Sequence, residues 1–389
     1  MEIGDRMTRR ILLGLVVVAL LVGGGWWWGR PQPPSQVSGQ IVDAAVASTE
    51  GYARVTTPLG IEFPRDHGPH PAYLTEWWYY VGNLESADGR RFGFQLTFFR
   101  RALTPEAAAR TSDWASNQVY MAHFALSDIG GQQFHAFDRY SRGAAGLAGA
   151  QAEPYRVWLE DWSVEGIGPQ TERLRAQQND LGLDLTLTWG KPPALHGEAG
   201  LHQKGPEMGN ASMYYSLTRL PLQGTITVNG QAFAVTGSGW MDHEFGTTAL
   251  GERAIGWDWF ALQLDDGREL MVYQIRRDDG TIEPQSSGSL IEADGRVQHL
   301  TGSDVQIEVL DTWQSAASGG RYPARWRITI PAYGLTLTVT PRQADQELRL
   351  AQTYWEGAVA IQGDSRGQPL SGQGYVELTG YVGTLRGQL

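Results

Sequence analysis

The stretch EWWYYVGNLESADGRRFGFQLTFFR, residues 76–100, contains two strand-like segments separated by an Asp-Gly turn signal. A second stretch, GWDWFALQLDDGRELMVYQIRR at residues 256–277, has the same order: an aromatic segment, an Asp-Gly turn and an apolar segment that ends in arginine. Each stretch predicts a β-hairpin. The recurrence of the unit about 180 residues along the chain indicates a duplicated β-domain.

The sequence around these hairpins also has a strand-and-turn pattern. Short apolar segments alternate with Gly, Asp and Asn turn signals, a pattern typical of β-barrels and β-sandwiches. Helical periodicity is scarce, and residues 105–115 are its main example. We therefore predict an all-β protein with two similar domains, at residues 51–240 and 241–389.

Composition excludes several classes of function. The chain has 389 residues, of which 41% are hydrophobic and 19% charged, so it is long and apolar enough to fold as two domains. Its net charge of −11, without a basic block, argues against nucleic acid as a partner. The absence of cysteine excludes disulfides, thiolate metal ligands and a cysteine nucleophile.

Residues 1–30 carry a targeting signal. Arginines at positions 6, 9 and 10 precede an uncharged run over residues 11–28, which as a helix would span about 27 Å. We expect an uncleaved signal anchor that holds the protein in the cytoplasmic membrane, with the folded domains in the periplasm or exterior. The alternative is a signal peptide cleaved near Gly23–Gly25, which would give a secreted protein. The Pro-rich residues 31–50 predict a linker.

The segment GSGWMDHEFG, residues 237–246, lies near the junction of the two predicted domains. On a β-strand, Trp240, Asp242 and Glu244 would share one face. Two carboxylates in an aromatic cavity would have raised pKa values, which is how a general acid stays protonated near neutral pH. The alternative is a structural carboxylate that accepts backbone hydrogen bonds at a domain corner.

A second charged cluster precedes the first hairpin, in PRDHGPHPAYLTEWWYY at residues 64–80. It contains Asp66, His67, His70 and Glu76. Because HGPH contains glycine and proline, no helix brings the imidazoles together, which favours a structural lid on one barrel end over a metal site. The chain also lacks a G-x-S-x-G elbow and a phosphate-binding loop. We therefore expect neither a metal nor a cofactor.

Aromatic residues are the strongest compositional signal, with 15 Trp and 15 Tyr. Aromatic side chains on the inner faces of strands line apolar cavities in barrels that hold one small ligand, although most of them pack a core. His123 also fits a hydrogen-bonded core histidine. The candidate ligand-binding residues are Trp78, Tyr80, His123, Met213, Tyr215, Trp257 and Trp259.

Six segments, taken in order, resemble a lipocalin-like family that includes carotenoid 1,2-hydratases (hydroxyneurosporene synthases) and AttH-type secreted proteins. They are DHGPHPAYLTEWWYYVGNL, FGFQLTFFR, YMAHFALSD, QKGPEMGNASMYYSLTRL, GSGWMDHEFG and GWDWFALQLDDGRELMVYQIRR. The resemblance covers nearly all of residues 60–389. It implies two tandem lipocalin-like (calycin-type) β-barrels that handle hydrophobic, often terpenoid or polyene, molecules.

For the hydratases, the resemblance implies an acidic residue that protonates an alkene, at the position of Asp242. Protonation of a C=C bond requires a strong acid in a cavity that shelters a carbocation, and aromatic faces stabilise cations. Trp240 stands where the hydratases tend to have Tyr, and Met213 and Tyr215 stand where they have a His and a Trp. These departures argue against carotenoid hydration itself, and the AttH-type branch, often associated with membrane export systems, fits better.

Our hypothesis is a membrane-tethered periplasmic protein that binds a hydrophobic small molecule. Asp242, with Trp240, Glu244 and Tyr215 nearby, would form the acid centre of a cofactor-free hydratase or isomerase. The alternative is a non-catalytic carrier, or an accessory protein whose partner is the permease of an ABC-type export system. A third interpretation is purely structural, with residues 242–244 holding the two domains together.

Overall fold

The computed structural model describes residues 49–106, 112–247, 251 and 253–383. The predicted anchor at residues 1–30 and most of the predicted linker lie outside these residues. Within the described part of the chain, no helix is both long enough and apolar enough to cross a membrane.

The first sheet contains thirteen strands. They are β1 (Thr75–Ser86), β2 (Arg91–Ala102), β3 (Gln118–Asp128), β4 (Gln133–Arg142), β5 (Ala148–Gln151), β6 (Arg156–Leu159), β7 (Trp162–Gly168), β8 (Thr171–Gln178), β9 (Leu181–Thr188), β10 (Ala194–Leu195), β11 (Leu201–Gln203), β12 (Ala211–Val228) and β13 (Gln231–Gly246). The strand order is β4-β3-β2-β1-β13-β12-β9-β8-β7-β6-β5, and β10 and β11 also pair with β12.

The second sheet contains ten strands. They are β14 (Ala254–Leu264), β15 (Glu269–Arg277), β16 (Ser287–Ile291), β17 (Val297–Thr301), β18 (Gln306–Gln314), β19 (Arg321–Ile330), β20 (Leu335–Pro341), β21 (Glu347–Arg349), β22 (Thr353–Ser365) and β23 (Gln368–Leu378). Single 3-10 turns occur at Arg65–His67 and Pro331–Tyr333. The first sheet is a nearly closed barrel and the second a half-barrel, which confirms the predicted all-β fold with two tandem lipocalin-like units.

Both predicted hairpins are present. The β1–β2 and β14–β15 hairpins turn at Gly89 and Gly267, whose φ angles of 84° and 86° are readily adopted only by glycine. In each sheet the first strand of the hairpin also pairs with the last strand, β1 with β13 and β14 with β23. The two hairpins therefore hold equivalent places in the two sheets.

The first sheet curls so that strands of its two halves come into contact. The ring of Phe124 on β3 contacts Trp162 on β7 edge to face, with centroids 5.7 Å apart. At the rim, Arg139 on β4 donates to the Gln178 side chain on β8 over 2.9 Å. Apolar side chains from both halves of the sheet pack together in one core cluster.

The two sheets pack through their outer faces. Tyr79 contacts Trp259 edge to face with centroids 5.2 Å apart, and the Gln263 amide donates to the carbonyls of Thr218 and Gly239 over 2.8 Å each. The interface is thus aromatic and polar at once. The predicted domain boundary between residues 240 and 241 falls inside β13, and the chain passes to the second sheet only after this strand ends.

Candidate functional site

Strand β13 presents two sets of side chains on opposite faces. Trp240 belongs to the cluster between the two sheets, and Met241 belongs to the core of the first barrel. The same alternation directs Asp242 towards the second sheet and His243 into the first barrel, as their hydrogen bonds show.

Asp242 is buried, with only 4% of its surface exposed, and three protein groups donate to its carboxylate. The Tyr214 hydroxyl donates to Oδ2 over 2.5 Å, and the Trp240 indole donates to Oδ1 over 2.6 Å. The Ser216 hydroxyl also donates to Oδ1. Within the described residues, no lysine, arginine or histidine forms an ion pair with Asp242.

Burial without a cation determines the acidity of Asp242. Desolvation raises its pKa to about 7, against a partial opposing effect of the three donors. The nearby charge of Glu244 raises this pKa further. Near neutral pH, the protonated form of Asp242 is therefore substantially populated.

A hydrogen-bonded chain connects Asp242 to the second sheet. The Ser216 hydroxyl lies 2.6 Å from Nε2 of His196, and Nδ1 of His196 lies 2.9 Å from the Ser289 hydroxyl. Burial lowers the pKa of His196 to about 3, so its imidazole is neutral.

This series of hydrogen bonds can form with Asp242 either protonated or ionised. A protonated Asp242 donates to Ser216, whose hydroxyl then donates to Nε2 of His196. An ionised Asp242 accepts from Ser216, which in turn accepts from Nε2–H in the other imidazole tautomer. Asp242 can thus lose or gain a proton without creating a buried imidazolium.

Aromatic rings surround the acid. The Trp259 indole donates to the Tyr214 hydroxyl over 3.1 Å, and the rings of Trp259 and Trp240 lie 6.4 Å apart. We call Tyr214, Ser216, His196, Trp240, Asp242 and Trp259 the Asp242 group. Its members Ser216 and His196 are residues that the sequence analysis did not single out.

Of the other carboxylates at this interface, Glu377 and Glu244 lie nearby in different settings. Trp257 donates to Glu377 over 2.7 Å, and burial raises the pKa of Glu377 to about 7. Glu244 instead forms an ion pair with Lys204 at 2.7 Å. The ammonium of Lys204 also lies 5.3 Å from the centre of the Tyr214 ring. Glu244 is therefore paired with a cation, whereas Asp242 is not.

Other predicted residues lie on the opposite face of the first sheet. Trp78, Tyr80 and Tyr215 are buried in the first barrel, and Met213 packs against Val55 and Phe245. The Tyr215 hydroxyl lies 2.6 Å from His67 and 3.0 Å from His243. The prediction that Tyr215 lies beside Asp242 is therefore corrected: the Tyr214 hydroxyl takes that position.

A β-bulge explains this exchange of faces. The β12–β13 hairpin turns at Asn229-Gly230, and counting back from the turn would place Asp242 opposite Leu217, on the same face as Tyr215. Between Leu217 and Leu220 the register shifts, so that Asp242 instead lies opposite Ser216. A one-residue shift exchanges the two faces of a strand, which brings Tyr214 and Ser216 to the acid.

His123 has a separate position. It is buried where β3 meets the second sheet, and its Nδ1 lies 2.8 Å from the Tyr354 hydroxyl. Burial lowers the pKa of His123 to about 4, so the side chain is neutral at physiological pH. It is a hydrogen-bonded histidine of the sheet interface, and its partner does not belong to the Asp242 group.

The histidine and carboxylate cluster before β1 forms a network inside the first barrel. Oε1 of Glu76 lies 2.7 Å from Nδ1 of His70 and 2.8 Å from Nε2 of His243, and Oε2 accepts from Arg100 over 2.9 Å. Arg100 and the two imidazoles hold the pKa of Glu76 well below its usual range.

Three members of this network are the described residues best placed to hold a metal ion. His70, Glu76 and His243 bring potential ligand atoms within 4.8 Å of one another. However, these atoms already bond directly to each other, and a metal would lie beside the Arg100 guanidinium. The geometry therefore favours a hydrogen-bonded ion-pair network over a metal centre.

Comparison with known proteins agrees with this architecture. The sequence model of the AttH-like family matches residues 54–381. The chain belongs to the AttH-like family. A crystal structure from Nitrosomonas europaea assigned to AttH is 37% identical, with a TM-score of 0.76, and the alignment covers 85% of this chain and 100% of that one. The resemblance inferred from the sequence is thus confirmed.

More distant structures share the fold of this AttH-like protein. Kievitone hydratase from Nectria haematococca is 15% identical, with a TM-score of 0.65, over 87% of this chain and 97% of that chain. CghA with Sch210972 is 12% identical, with a TM-score of 0.51, over 86% and 98%. At such identities the likeness concerns the fold alone. A search of curated proteins found no significant match.

Proposed function

We propose that this AttH-like protein binds a hydrophobic small molecule, of terpenoid, polyene or lipid type, between its two sheets. In this proposal Asp242 donates a proton to the bound molecule in a cofactor-free hydration or isomerisation. One observation carries the proposal: Asp242 is buried among aromatic rings without a cation, and its pKa is raised to about 7. Such a carboxyl group is protonated often enough at neutral pH to act as a general acid.

The surroundings of Asp242 suit the steps of this chemistry. Transfer of the Asp242 proton to one carbon of a C=C bond leaves a carbocation on the other carbon and a carboxylate on the enzyme. The rings of Trp240 and Trp259 offer faces that stabilise the cation. Attack by water, with return of its proton to Asp242, gives the alcohol, whereas transfer of a neighbouring proton from the cation to the Asp242 carboxylate gives an isomer.

An unsatisfied polar atom supports the presence of a ligand or water near the acid. Nδ1 of His202 is buried and has no hydrogen-bond partner among the described residues. The His202 ring lies 5.1 Å from the ring of Tyr214, which donates to Asp242. Because buried polar groups are nearly always paired, this nitrogen is suited to a polar atom of a ligand or to a water molecule.

The alternative function is a non-catalytic carrier, or an accessory protein of an ABC-type exporter, tethered to the membrane through residues 1–30. It is favoured by the three protein donors that satisfy Asp242, since a purely structural carboxyl has the same arrangement. The likeness to kievitone hydratase concerns the fold, and makes hydration a reaction to test on this chain.

The test separates binding from chemistry. The full chain is purified from its native host, and an organic extract is analysed by mass spectrometry for a stoichiometric terpenoid, polyene or lipid. That molecule is then incubated in D2O with the wild type and with Asp242→Asn. We expect deuterium on carbon with the wild type, and unchanged binding without deuterium in the variant.

A matched control is Glu347→Gln, which changes a buried carboxylate bonded to Ser315 and Tyr322 within the second sheet, outside the Asp242 group. We expect this variant to keep the deuterium incorporation. Ligand binding without incorporation by the wild type would favour the carrier. An empty extract, with no uptake of an apolar fluorophore, would contradict hydrophobic-ligand binding altogether.

A further inference from the structure

The mouth of the first barrel contains a cavity of about 410 Å³. Aromatic rings of Phe63, Tyr155 and Trp189 line it, together with the buried side chains of His67 and Glu172. We propose that this cavity is a second small-molecule site, specific for a neutral aromatic molecule that carries a hydroxyl group, a phenol. This inference stands independently of the function proposed for Asp242.

The walls of the cavity are suited to a flat ring. Phe63 meets Trp189 edge to face, with centroids 5.3 Å apart, and the rings of Tyr155 and His67 lie 3.9 Å apart. Phe63 is 36% exposed, so a large apolar ring remains accessible at the opening. A concave, mainly apolar cavity with a few convergent polar groups is the usual form of a small-molecule site.

The polar groups of the cavity offer acceptors. Glu172 Oε1 accepts from the Trp189 indole over 2.8 Å, and Oε2 accepts from the Tyr80 hydroxyl over 2.8 Å. Because the Tyr80 proton is used in this way, the Tyr155 hydroxyl, 2.9 Å from that of Tyr80, must donate to it. The oxygen of Tyr155 then keeps lone pairs free for a donor brought by the ligand.

His67 adds no free donor. Its Nδ1 lies 2.6 Å from the Tyr215 hydroxyl and its Nε2 lies 3.1 Å from Glu172. With both nitrogens occupied, the imidazole cannot exchange a proton with a ligand, so the geometry points to binding and not to catalysis. Because Glu172 already has His67, Trp189 and Tyr80 as partners, the cavity requires no cation.

The cavity is separate from the Asp242 group. Tyr215, which contacts His67, faces the interior of the first barrel, whereas Asp242 faces the second sheet. The cavity opens beside the segment Phe63–His67 and the turn between β7 and β8. The segment that the sequence analysis interpreted as a lid thus forms one wall of the cavity.

The experiment uses three probes with a similar ring. Binding of p-cresol, toluene and benzylamine to the full chain is measured by saturation-transfer difference NMR. We expect p-cresol to bind about tenfold more tightly than toluene, because one hydrogen bond distinguishes them. Equal binding of p-cresol and toluene, tighter binding of benzylamine, or no saturation of p-cresol would overturn the proposal.

Two variants locate the signal. Trp189→Leu removes a wall and should weaken both p-cresol and toluene. Tyr155→Phe keeps its ring, and should abolish only the preference for p-cresol; it carries the test if Trp189→Leu does not fold. The control is Trp114→Leu at a tryptophan that is 63% exposed outside the cavity, and it should leave binding unchanged. Binding that survives both cavity variants unaltered would also overturn the proposal.

Discussion

Asp242 should make the folded protein less stable as the pH rises towards neutral. Its pKa is raised from 3.8 to about 7 in the folded state. Between these values the folded protein holds a proton that the unfolded chain has released. The contribution of Asp242 to stability is therefore fully present below pH 3.8, and is lost as the pH rises through about 7.

The size of this effect follows from the pKa difference. A gap of about three pKa units, at about 1.4 kcal/mol each, corresponds to about 4 kcal/mol of unfolding free energy. In Asp242→Asn this dependence should disappear, because asparagine does not ionise. The asparagine amide would face the hydrogen-bond donors of Tyr214, Ser216 and Trp240. This mismatch lowers the unfolding free energy of the variant by an amount that does not vary with pH.

The assay is denaturant unfolding of the wild type and Asp242→Asn at several pH values between about 4 and about 8. As the pH rises, the wild type should lose up to about 4 kcal/mol of unfolding free energy relative to Asp242→Asn. Asp311→Asn, at an exposed position on β18, serves as the control for a change of one carboxylate. A difference between wild type and Asp242→Asn that is constant across this range would refute the reasoning.

Three further changes probe the surrounding network by denaturant unfolding. Arg100→Met leaves buried Glu76 without its cation, and should cost about 3–5 kcal/mol at neutral pH. This loss should shrink in acid, because the stability that comes from the lowered pKa of Glu76 is fully present above its unfolded pKa and is lost as the pH falls below that value. A loss that does not depend on pH would contradict this explanation. Tyr214→Phe removes a donor to Asp242, and should move the pH-dependent loss of stability to higher pH; an unchanged midpoint would count against the assigned bond. Gln263→Leu removes two hydrogen bonds between the sheets, and should cost about 1–3 kcal/mol, whereas an unchanged stability would contradict their importance.

The hairpins were predictable because their signals are local. An Asp-Gly pair between two apolar segments specifies a turn and the two strands beside it, as at Gly89 and Gly267. The pairing of β1 with β13 could not be predicted from the sequence, because these strands are far apart along the chain and no local pattern connects them. This pairing places β13 inside the first sheet, between β1 and β12.

The face of Asp242 was predictable, but its partners were not. Alternation along β13 places Trp240 and Asp242 on one face, as expected. The partners on β12 depend on the bulge between Leu217 and Leu220, which exchanges Tyr215 for Tyr214. Pro221 was the one available signal, because proline within a central strand is often found at a bulge.

His196 and Lys204 come to the interface through connections that have no sequence pattern. His196 follows the two-residue strand β10, and Lys204 follows the three-residue strand β11. Both short strands pair with β12, which brings these side chains beside Ser216 and Glu244. Strands this short give no detectable alternation, so sequence reasoning could not place either residue.

The protonation of Asp242 near neutral pH is the central claim, and side-chain carbon NMR of protein labelled at the aspartate carboxyl carbon tests it most directly. We predict one aspartate signal that titrates with a midpoint near 7 and is absent from the spectrum of Asp242→Asn. If the signal that the variant loses instead titrates at an ordinary aspartate pKa of about 4, the proposed acid would be ionised at neutral pH and the account would be contradicted.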